Sequence, residues 1–168
     1  KISGKKWPEG KALSKNDYLI ITGDFGFIWY DQPDKTEEWW INWLSQRAWT
    51  TLFVDGNHEN HKRLQSLEKI EMFGGIVGRV NDSIYHLRRG EYYIIENKSF
   101  FCFGGAKSHD KEFRTRDVNW WPDEIPSEEE KKKGLETLAK NGNQVDYLVF
   151  HTIPLRYVKD IPGRFSFK

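Results

Sequence analysis

Thr51-Leu52-Phe53-Val54-Asp55-Gly56-Asn57-His58-Glu59 is the stretch on which the fold turns. Its first part is short, apolar and closed by Gly56, which predicts a buried strand over 51–55. Its second part sets an amide, an imidazole and a carboxylate directly behind that strand. Upstream, Tyr18-Leu19-Ile20-Ile21-Thr22 is a similar run, stopped by Gly23 and followed by Asp24. Between the two runs, Asp34 with Glu37 makes a helix-capping pair, and Trp39, Trp40, Trp43 and Leu44 recur at helical spacing, which predicts a helix facing a core. Strand, helix, strand is a βαβ unit and implies parallel pairing.

Working outward, 59–67 reads as a short helix, and Gly74, Gly75 and Gly78 read as a loop. The runs 84–87, 92–95 and 100–103 are separated by Gly90 and Asn97 and predict a three-stranded meander. Residues 104–123 are irregular. Ser127 and Glu130 form a capping box, and Asn141-Gly142 ends the helix that follows. Tyr147-Leu148-Val149-Phe150 is a last strand, with His151 behind it. Residues 1–16 read as loop or helix end, and the tail to Lys168 has no clear pattern.

The 168 residues suit one domain, 1–168, since domains of about 100–150 residues are commonest. With 15% aromatic residues the chain can build a core and is not read as disordered. The 26 basic and 25 acidic residues nearly cancel, so bulk charge indicates no nucleic-acid-binding surface. No apolar run is long enough to span a membrane. The single cysteine, Cys102, lies in Phe100-Phe101-Cys102-Phe103 and reads as buried and inert. A reducing, cytoplasmic setting is the expectation.

Three predicted strands thus end in a residue that can bind a metal: Asp24, Asn57 and His151. Ligands of open α/β sheets bind outside the carboxyl ends of the strands. If these strands are parallel neighbours, a carboxylate, an amide oxygen and an imidazole converge. Mixed oxygen and nitrogen donors suit Mn, Fe, Zn or Ni. Paired metals about 3.5–4 Å apart activate a water and clamp an in-line displacement at phosphorus. Taken singly, Asp24 is a turn residue, Asn57-His58 a surface loop and His151 a hydrogen-bonded core residue. It is their joint position at strand ends that favours a site.

In this order, Gly23-Asp24, Gly56-Asn57-His58-Glu59 and His151-Thr152-Ile153-Pro154 resemble the ordered motifs of the calcineurin-like metallophosphoesterases, over residues 17–154. The resemblance implies an α/β fold, a two-sheet β-sandwich flanked by helices in four layers, α/β/β/α, with 84–103 supplying part of the second sheet. It implies two divalent metal ions, with Asp24 bridging them and Asn57 and His151 on the second. It implies that Asn57 and His58 contact the substrate, with His58 also able to act as an acid. The reaction so implied is hydrolysis of a phosphate mono- or diester of unspecified class. The family opens on Asp-x-His and closes on Gly-His-x-His, and neither stands in this sequence. Phe27 also replaces the Asp or Asn that many members carry three residues after the motif Asp. The expectation is therefore a domain incomplete at both ends that carries the middle of a metal site.

A non-catalytic scaffold of the same fold is the alternative. A nucleotide-binding domain ranks last, because Gly23-Asp24-Phe25-Gly26 matches neither glycine-rich phosphate fingerprint. Ser108-His109-Asp110 reads either as pocket lining or as a polar loop. Arg114 and Arg116 can pair with phosphate or pack their stems. Trp120 and Trp121 read as packing residues, and His61 and His86 show no partner in the sequence.

Overall fold

The computed structural model describes residues 6–153. Strand β1 (Tyr18–Thr22) pairs in parallel with β2 (Thr50–Val54), and β2 in parallel with β5 (Ile84–Leu87). A hairpin of β3 (Glu68–Met72) and β4 (Gly75–Asn81) completes a five-stranded sheet in the order β1-β2-β5-β4-β3. The second sheet has the order β6-β7-β8, from β6 (Glu91–Ile95), β7 (Lys98–Phe103) and β8 (Tyr147–Phe150). Helices α1 (Lys35–Ser45) and α2 (His61–Ser66) follow β1 and β2, and α3 (Glu128–Lys140) precedes β8.

Strand periodicity builds the layers. Successive side chains of β2 point to opposite faces. Leu52 and Val54 join Tyr85, Leu87, Tyr93, Ile95, Cys102 and Val149 between the sheets, while Phe53 turns to Leu44, Leu64 and Ile84 beneath α1 and α2. Helix α3 lies against β6 and borders a groove with Phe101, Phe103 and Phe150. The order is helix, sheet, sheet, helix. Cys102 is buried as expected. Among the described residues no helix is long and apolar enough to cross a membrane.

Local chemistry explains the element ends. The Asp34 side chain accepts from the Glu37 N–H at 2.7 Å and starts α1. The Ser127–Glu130 capping box starts α3 in both directions, a motif whose loss costs about 1 kcal/mol.

Three expectations are corrected. Residues 74–78 do not form a loop. Phe73 and Gly74 have φ of 58° and 77°, the two-residue left-handed turn that suits a hairpin, and Gly75 already pairs with Met72. A phenylalanine is an unusual occupant of such a turn, so the hairpin is hidden in sequence. Runs 84–87, 92–95 and 100–103 do not form one meander, because β5 inserts beside β2 and the chain crosses to the other sheet through 88–90. Trp39 and Trp40 do not face the core; they are 55% and 36% exposed. The inward stripe of α1 runs through Glu37, Ile41 and Leu44 at spacings of four and three. Trp39, two positions past Glu37, falls on the far side.

Candidate metal centre

Asp24 and Asn57 follow neighbouring parallel strands of one sheet, as expected, but His151 follows a strand of the other sheet. The two sheets meet at this end of the sandwich. His151 Nδ1 lies 3.0 Å from the Thr22 carbonyl, and the Gly105 N–H donates to the Asp55 carbonyl at 2.8 Å. Each bond ties a strand end of one sheet to that of the other.

Three atoms converge there. His151 Nε2 lies 3.3 Å from Asn57 Oδ1 and 3.4 Å from Asp24 Oδ1. A carbonyl oxygen only accepts, so His151 Nδ1 carries its proton toward Thr22, and Nε2 is left to face two oxygens. In the neutral ring, the Nε2 lone pair would be repelled by both oxygens. Either a second proton on the imidazole or a cation relieves this repulsion. A histidine whose far nitrogen is fixed by a backbone carbonyl is a common arrangement for metal ligands. Among the described residues no group of three or more His, Cys, Asp or Glu side chains is placed to hold a metal ion. The set here is one carboxylate, one imidazole and one amide oxygen, which fits Mn, Fe, Zn or Ni in chemistry.

The backbone around these three residues is tightly set. Asp24 and Gly23 both have positive φ, 50° and 93°, so the turn aims the Asp24 carboxylate back across the strand end. A methyl group on Gly56 would collide with the Asp24 carboxylate and amide and stand 3.0 Å from His151 Nε2. Only glycine lets the two loops approach this closely. Fully buried Glu59 clamps them. Its carboxylate accepts from Phe25 N at 2.5 Å and Gly56 N at 2.7 Å. Burial and the Asp55 charge push the Glu59 pKa up to about 8, while those N–H groups pull it back.

His58 sits on the open side. Its N–H donates to Asp24 Oδ1 at 3.2 Å. Its ring packs edge-on against Trp29, 5.9 Å between centroids, and its Nε2 accepts from Arg114 Nη2 at 3.0 Å. Arg114 is held by Asp110 at 2.7 Å and by the Asn119 carbonyl at 3.1 Å. Arg116 is exposed, with Asp117 at 3.6 Å, and is not brought to His58. In the 108–110 stretch, Ser108 is buried and accepts from the Asn57 amide at 3.0 Å, whereas His109 is exposed. Trp121 is buried and packs edge-on against Trp29, as a packing residue should.

Sequence reasoning left His61 and His86 without partners, and this is corrected. Both surround Asp55, which is 1% exposed at the end of β2. Arg89 Nε and His86 Nε2 donate to its carboxylate at 2.8 and 3.0 Å, and His61 Nδ1 stands 3.8 Å away. Burial alone would raise the Asp55 pKa, but the His86 hydrogen bond and the Arg89 charge together hold it well below the usual carboxylate range. His61 Nδ1 accepts from Arg89 Nη2 at 3.3 Å, which requires a neutral ring. Burial, with the Arg89 and His86 charges, lowers the His61 pKa to about 4 against the attraction of Asp55. The available signal was β-strand alternation, which puts His86 on the same face as Ile84, beneath the helices.

Comparison with protein-family models matches the calcineurin-like phosphoesterase model over residues 4–168. No curated protein and no solved structure matches the chain. The match covers nearly the whole sequence and agrees with the two-sheet, helix-flanked architecture. The chain belongs to the calcineurin-like phosphoesterase family.

Proposed function

We propose that this protein hydrolyses phosphate mono- or diesters with two divalent metal ions drawn from Mn, Fe, Zn or Ni, which Asp24, Asn57 and His151 would help to hold. The observation that carries this reading is the approach of Asn57 Oδ1 and Asp24 Oδ1 to His151 Nε2, at 3.3 and 3.4 Å. Bound metal ions would supply Lewis acidity at phosphorus and a nucleophilic water at neutral pH. The chain's own groups then position and select. His151 is locked by Thr22 so that Nε2 faces the site. His58 and Arg114, 3.0 Å apart, present two N–H-bearing groups on one side, suited to non-bridging phosphate oxygens. His58 would contact phosphate or pass a proton from Nδ1 to a leaving oxygen, since its Nε2 accepts from Arg114. The substrate is a phosphate ester, and the single buried thiol suits a reducing, cytoplasmic setting.

The test is hydrolysis of a nitrophenyl phosphate and a bis-nitrophenyl phosphate by the full-length protein loaded with Mn²⁺. Turnover of at least one ester is expected. Asn57→Ala should lower it at least about a hundredfold with a thermal midpoint close to wild type. Unchanged turnover in that variant would refute the site. Absence of both turnover and stoichiometric metal would favour a non-catalytic scaffold.

A further inference from the structure

Asn57 is a ligand only if its oxygen faces the site, and an amide can be turned either way. We infer that Ser108 and Glu124 form a positioning relay that fixes which end of the Asn57 amide faces His151 and Asp24, an inference that rests on the metal-site reading above. Both residues are buried, 1% and 0% exposed. Ser108 N donates to Glu124 Oε1 at 2.8 Å, and Ser108 Oγ donates to Glu124 Oε2 at 2.6 Å. A serine hydroxyl has a single proton. With that proton committed to the carboxylate, Ser108 Oγ offers Asn57 only lone pairs. Asn57 must therefore turn its Nδ2 toward Ser108, and the 3.0 Å contact shows that it does. The other end, Oδ1, is then forced toward His151 Nε2. Hydrogen-bond polarity thus passes from Glu124 through Ser108 to the ligand oxygen.

Substitution at either relay position should act on metal affinity. Ser108→Ala removes the acceptor and leaves the amide free to present either end. Glu124→Gln has nearly the same shape but reverses polarity. The fixed Ser108 N–H claims the new carbonyl, the new NH₂ donates to Ser108 Oγ, and the hydroxyl proton turns to Asn57. Asn57 would then show its NH₂ to the metal.

The experiment is calorimetric titration of Mn²⁺ into metal-free full-length protein, with thermal unfolding in chelator as a folding control. Ser108→Ala and Glu124→Gln are each expected to weaken Mn²⁺ binding about 10–100-fold, the usual range for groups that orient a ligand. In an Asn57→Ala background, Ser108→Ala should change affinity less than about twofold, because the relay acts through Asn57 alone. If Ser108→Ala does not fold, the near-isosteric Glu124→Gln carries the test. Affinities within about twofold of wild type for the relay variants overturn the relay and leave the metal site standing. A wild-type protein that takes up no Mn²⁺ overturns both.

Discussion

Replacing Asp55 by alanine should be among the most damaging single changes in this protein. Asp55 is 1% exposed and receives Arg89 Nε at 2.8 Å, Arg89 Nη2 at 2.6 Å and His86 Nε2 at 3.0 Å. Without it, the Arg89 guanidinium, only 9% exposed, keeps Glu130 at 3.1 Å as its remaining carboxylate. Removing one partner of a buried ion pair costs about 3–5 kcal/mol, a large share of the ~5–15 kcal/mol that holds a domain together. At a urea slope of about 2 kcal/mol/M, the midpoint should fall by about 2 M. Removing Arg89 as well should recover part of the loss, because no buried cation is then stranded. The acid limb has a definite sign. The native pKa of Asp55 lies below its ordinary value of 3.8, so its contribution is fully present above that value. It is lost only as pH falls toward the native value. Asp55's own share of the gap between wild type and Asp55→Ala should therefore persist down to about pH 4 and close only in stronger acid. A midpoint shift below about 0.3 M, or a gap undiminished in strong acid, would refute the account.

His61 acts in the same direction in a higher window, stability again falling as pH falls. Its native pKa of about 4 lies below the ordinary 6.5, so the unfolded chain takes up a proton first as pH falls. Between pH 7 and 5, wild type should lose about 2 kcal/mol more stability than His61→Gln, measured by urea unfolding at each pH. Equal losses would show that His61 is not held neutral. Gly56→Ala should weaken Mn²⁺ binding at least tenfold, since the added methyl group collides with Asp24. Calorimetric titration checks this, and an affinity equal to wild type would mean that the two loops are not closely apposed.

Some of this was legible locally. The chain shows apolar runs of four to six residues ending in Gly-Asp, Gly-Asn-His-Glu and His, and each of those runs is a strand with its polar residue at the expected end. Capping pairs at Asp34 and Ser127 start helices where the hydrogen-bonding side chains predict them. The α1 stripe was misjudged because four bulky residues at 39, 40, 43 and 44 fit a helical period, while the buried face includes Glu37, a charge neutralised by Arg63 of α2 at 2.6 Å. That partner cannot be seen from the helix alone.

What the sequence determines by itself is therefore periodic or contiguous: which runs alternate, which turns break them, and which polar residues stand directly behind them. Tertiary structure decides which strands become neighbours and which polar groups are buried together. His151 reaches Thr22 across 129 positions, Asn57 reaches Ser108 across 51, and Asp55 reaches Arg89 across 34. The physical reason is that side-chain direction in a strand follows from the local backbone, whereas strand pairing and burial of charge depend on the packing of the whole sandwich. Asp24, Asn57 and His151 can be named from their neighbours in the chain, but their convergence, and the Glu124–Ser108 pair that turns the Asn57 amide, exist only once the two sheets have closed on each other.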